Sequence, residues 1–152
     1  MTAALIFALV GIISSIFRIF WGWLSDRIGR EITFTMGILC ACLGVGSLLL
    51  FEFTGSMPFT WSFFIFFGMG WGVTAPMYMS VSADQFKGKV FGLIYGFLEA
   101  GIGLAGALGA WMAGFIFDKT QSYNMAFILV IVVLLLSCVF VWLAAPRKFR
   151  GR

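Results

Sequence analysis

The stretch Gly22-Trp23-Leu24-Ser25-Asp26-Arg27-Ile28-Gly29-Arg30-Glu31 decides the fold. Asp26, Arg27, Arg30 and Glu31 make it the densest charge cluster before the C-terminal tail, and long apolar runs stand on both sides of it. Apolar helices of that length satisfy their backbone groups internally and cross a bilayer, so a charged turn between two of them lies at the membrane surface. Siding this one turn assigns a side to every other loop.

Upstream, the first span covers residues 3–24. No basic segment precedes it and it contains Arg18, so it does not have the form of a signal peptide. Downstream, the second span covers 32–51 and ends at the Gly55 and Pro58 loop signals. A third span covers 59–81, a polar turn carries Lys87 and Lys89, and the fourth span covers 90–117. After the loop at Asp118–Tyr123 the fifth span covers 126–145, closed by Pro146 and the basic tail Arg147–Arg152. The pattern predicts an all-α membrane protein with about five transmembrane helices in a single transmembrane domain over 1–152.

Composition narrows the function classes. The chain is 62% hydrophobic and 11% charged, against about 45–50% and about 25% for soluble domains. Its net charge of +4 lies in short loops and the tail; that placement excludes a nucleic-acid face and fits orientation signals beside anionic lipid. Cys40, Cys42 and Cys138 lie within apolar helices and read as small buried hydrophobes. The sequence has no histidine, no nucleotide loop and no serine or cysteine beside a base. We expect no metal site, no cofactor and no enzymatic activity.

Alternation of five spans puts Arg27, Arg30, Lys87, Lys89, Arg147, Lys148, Arg150 and Arg152 on one side and Lys119 on the other. The excess predicts a multi-pass integral protein of the cytoplasmic or plasma membrane, with the C-terminus cytoplasmic and Met1 outward. Trp21, Trp23 and Trp61 fall near expected span ends as interfacial anchors. With five spans and a first helix starting almost at Met1, the chain is expected to be either cut from a longer one or dependent on a partner.

Within the spans, small residues recur every four positions through the fourth: Gly92 and Gly96, Gly101 and Gly109, Gly106 and Gly114, with alanines between. Such a helix offers smooth faces for close backbone approach, either for tight packing or for sliding during transport. The fifth span is bulky all round, as suits a peripheral helix. Arg18 lies within the first span, where it either snorkels to the headgroups or faces a cavity and binds an anion. Glu99 lies within the fourth, where a carboxylate marks a proton-coupling site or pairs with a polar group on a neighbouring helix. Pro76 with Gly68, Gly70 and Gly72 predicts a break or kink in the third span.

The charged turn is similar to the signature loop of the major facilitator superfamily, Gly-x-x-x-Asp-Arg-x-Gly-Arg followed by a basic residue. Gly22, Asp26, Arg27, Gly29 and Arg30 match in place, and Glu31 departs. The stretch Ala113–Phe127 resembles the join between helices eleven and twelve in the monocarboxylate and oxalate/formate branch. The resemblance covers nearly the whole chain and implies that the spans correspond to helices eight to twelve. It also implies alternating access around a midplane site, with the turn as a cytoplasmic gate. Arg18 matches the helix-eight arginine that binds a substrate carboxylate in that branch. The implied partners are a small organic anion with or without a coupled proton, the lipid bilayer, and a missing N-terminal half or partner subunit. The second reading is a non-transporting membrane interaction module.

Overall fold

The computed structural model describes residues 2–85 and 91–144. The turn carrying Lys87 and Lys89, and the tail Arg147–Arg152, lie outside the described residues. Among those described, every element is a helix: α1 Thr2–Ile28, α2 Arg30–Thr54, α3 Met57–Trp71, α4 Thr74–Gln85, α5 Phe91–Thr120 and α6 Asn124–Ala144. Five stretches are long and apolar enough to cross a membrane, with α3 and α4 together making the third. This is the all-α, multi-span architecture expected from the sequence.

The helices extend into the polar stretches assigned to loops. Only Gly29 separates α1 from α2. It reverses the chain alone because its φ of 97° lies in a region other residues avoid. The cut ends are bonded locally: Gly29 N donates to Ser25 O, and Thr33 Oγ1 donates to Gly29 O at 2.8 Å. Arg27 in the last turn of α1 and Glu31 in the first turn of α2 oppose the helix dipoles at their own ends. At the far end of α2, Gly55 takes φ 64° and donates to Phe51 O at 2.7 Å, a left-handed cap.

The core lies on the Gly29 side of the molecule. Trp21 from α1, Phe34 and Ile38 from α2, Met77 from α4 and Val73 between α3 and α4 form one buried cluster, with Leu134, Cys138 and Val141 of α6 against it. Close backbone approach sets the α2–α3 interface. A methyl group at Gly44 would stand 2.6 Å from Phe67 N, one at Gly37 would stand 2.5 Å from Val73 Cγ1, and one at Gly70 would strike the Ala41 backbone. On the other face of α3, Gly68 meets Ile13 and Gly72 meets Ser14 of α1.

Two polar links tie α6 antiparallel to α2. Trp142 Nε1 donates to Thr35 Oγ1 at 3.0 Å near the start of α2. Ser122 Oγ donates to Glu52 Oε1 at 2.8 Å near its end. Apart from that contact face, α6 exposes Ile128, Val132, Leu136 and Phe140, the surface a lipid-facing helix needs. No residue of α5 is buried.

Candidate functional site

The five matched positions of the charged turn occupy the end of α1 and the start of α2. Asp26 and Arg27 are exposed, and Arg30 is half-buried. The Arg27 guanidinium lies 4.3 Å from the centre of the Trp23 ring, a cation–π contact one helical turn back. The two glycines differ in their demands. Gly29 is held at positive φ, whereas a methyl group on Gly22 would meet nothing within 4 Å among the described residues. Backbone geometry therefore requires the first glycine type at position 29 and leaves Gly22 as an open surface beside Asp26.

The second feature is the discontinuity of the third span. α3 stops at Trp71 and α4 starts at Thr74, where Pro76 lacks the N–H that would bond Gly72 O. Arg18 stands against this break: a methyl group on Gly72 would lie 3.3 Å from the Arg18 backbone nitrogen. Because α1 continues to Ile28, Arg18 falls at the centre of the candidate span Phe7–Ile28. Its backbone is roughly 15 Å from the helix end at 1.5 Å per residue, deeper than a span ending at Leu24 would place it. Its side chain is exposed among the described residues.

Glu99 is exposed on α5 and hydrogen-bonded with Tyr95, one turn earlier. α5 runs from Phe91 to Thr120, so Glu99 lies in the Phe91 half of the helix, roughly 12 Å from that end at 1.5 Å per residue. Arg18 and Glu99 lie on different helices, and the described contacts of α5 are chiefly with α4 and α6. The α5 glycines Gly92, Gly96, Gly101, Gly106, Gly109 and Gly114 each have open space where a methyl group would sit. Close helix approach occurs instead along Gly37, Ala41 and Gly44 of α2, against Phe67, Gly70 and Val73.

That α2 stripe carries the same small-residue signal as α5, and sequence spacing alone does not say which stripe is covered. Trp21 departs from the sequence expectation. It is an interior residue, 3% exposed, and not an interfacial anchor, because α1 runs about one turn further than expected. Its Nε1 donates to Met69 O at 2.7 Å, just before the break. Trp23 and Trp61 are exposed near span ends, 52% and 61%, as anchors are.

A signature turn bent at one glycine, a mid-span arginine and an interrupted helix thus occur together in one bundle. No curated protein and no solved structure matches the chain. The family model described as Major Facilitator Superfamily matches residues 1–152. On that match over its whole length, the chain belongs to the Major Facilitator Superfamily, a family of multi-pass membrane proteins that carry small molecules across the bilayer.

Proposed function

We propose that the chain supplies helices eight to twelve of a secondary transporter for small organic anions of monocarboxylate type, working by alternating access with proton symport or exchange. The observation that carries this reading is the placement of Arg18 at mid-span against the break at Gly72. A guanidinium so deep in a bilayer is costly unless it faces a polar path, and its planar fork suits a carboxylate. An interrupted helix at depth is itself a feature of transporter sites. Arg18 is the anion anchor in this proposal, and Glu99, paired with Tyr95 on the exposed face of α5, is the proton-coupling group.

Gly22, Asp26, Arg27, Gly29 and Arg30 form the gate in this reading, on the cytoplasmic side together with the C-terminus. Glu31 stands where the family has a basic residue. Its location in the first turn of α2 gives it a helix-end role, which leaves Asp26 to the gate. The test is uptake of labelled lactate, formate and oxalate into vesicles by the full-length protein. Arg18→Ala is expected to abolish uptake while membrane insertion is retained; normal uptake by that variant removes the anchor.

The second reading is a membrane module that assembles with a partner, and the exposure of α5 favours it. A helix of 30 residues with none buried and open glycine faces is suited to receive another helix. Co-purification of a second membrane protein, with no uptake by the purified chain, supports this reading; uptake by the chain alone removes it.

A further inference from the structure

The carbonyl of Met69 stands between two donors. In an unbroken α-helix it would accept from the amide of residue 73. Here Val73 N donates to Gly70 O instead, at 3.2 Å, a tighter turn of 3₁₀ type. Trp21 Nε1 takes the vacated Met69 carbonyl at 2.7 Å from the neighbouring helix. Both side chains are enclosed, Trp21 at 3% and Val73 at 0% exposure, and the span lies where water is scarce. An unfilled carbonyl there is expensive, so one donor or the other must hold it. Pro76, with no N–H for Gly72 O, weakens the same turn of the continuous alternative.

We propose that Trp21 is a positioning residue that latches the third span in its broken form. While the indole N–H holds Met69 O, Val73 stays with Gly70 and the helical ladder stays interrupted between α3 and α4. When the indole lets go, the Val73 amide recovers Met69 O and the span straightens. Straightening returns Met69 O to the Val73 amide but takes that acceptor from the buried indole N–H, so the indole bond weights the balance toward the broken form. The moving segment is α4, which joins the break beside Arg18 to the core residue Met77. The motion therefore links the mid-span region to the Gly29 side of the bundle. The latch follows from the hinge geometry and is independent of the anion reading.

The test needs no substrate. Cys40, Cys42 and Cys138 are replaced by alanine in the full-length protein, and spin labels are attached at Trp61→Cys on α3 and Met79→Cys on α4, both exposed. Distances are measured by pulsed electron resonance in lipid nanodiscs. A continuous α-helix separates these positions by about 27 Å of backbone rise, and the interrupted span departs from that value. Trp21→Phe keeps an aromatic ring but removes the donor, and is expected to shift the populations on the order of tenfold toward the continuous-helix distance. Pro76→Ala restores a donor to Gly72 O and is expected to shift them the same way without touching Trp21, so it decides the matter even if the first variant does not fold. A second label pair, Leu43→Cys on α2 and Leu136→Cys on α6, is expected to stay unchanged. Unaltered α3–α4 distances in both variants, or an equal disturbance of the α2–α6 pair, overturn the latch.

Discussion

Gly70→Ala probes the interface that holds the bundle together. The added methyl group would be driven against the Ala41 backbone nitrogen and would lie 2.5 Å from Gly37 O. Ordinary contact for such a group begins near 3.4 Å, so α3 must retreat from α2 by about 1 Å. Neither clashing group is a side chain that can rotate away. A gap of that size forfeits about a quarter to a half of each dispersion contact along the seam, including those at Gly44–Phe67 and Gly37–Val73. Overpacking of this kind costs about 3 kcal/mol at the upper end of its usual range. The better helix propensity of alanine returns about 1 kcal/mol. The expected net loss is about 2 kcal/mol. It is measured by circular dichroism during unfolding in mixed micelles with increasing dodecyl sulfate. Gly70→Ala as stable as the parent protein would refute the close approach. Gly106→Ala is the control, since the space around it is open among the described residues: it is expected to be neutral or to gain up to about 1 kcal/mol. A loss at Gly106 comparable to that at Gly70 would mean that another helix covers α5 in the membrane.

Gly29→Ala is expected to cost about 1–2 kcal/mol because its φ of 97° is hostile to a Cβ, whereas Gly22→Ala, inside α1 with open space around it, is expected to be neutral or to gain up to about 1 kcal/mol; thermal melts in detergent compare the two. Thr35→Val removes the acceptor for Trp142 Nε1 while keeping the volume. Its expected effect is about 0.6 kcal/mol and under about 1.7, the range for hydrogen bonds between membrane helices, seen in the same unfolding assay. Gln121 is a non-glycine residue at φ 54°, where it closes α5 by donating to Phe117 O. Gln121→Gly is therefore expected to stabilise the α5–α6 turn by about 1 kcal/mol, read as a higher midpoint in the micelle titration.

Run length, composition and punctuation alone give the membrane class, the five spans, a charged turn between the first two and the weakness of the third span at Pro76. Each is a local property: run length, composition and the backbone freedom of one glycine or proline act without reference to distant residues. The sequence also singled out Arg18 and Glu99, because an ionisable group in an apolar run is conspicuous wherever its helix packs. Tertiary structure alone decided which small-residue stripe is covered. Gly37, Ala41 and Gly44 of α2 share one helix face, as small residues of α5 do, yet α3 lies against the first stripe and nothing described lies within 4 Å of a methyl group on the α5 glycines. Only the fold could take Trp21 from an expected interfacial anchor to the interior, where it meets a carbonyl 48 residues away in the chain. Periodicity specifies which residues share a helix face, but burial depends on which other helix arrives there.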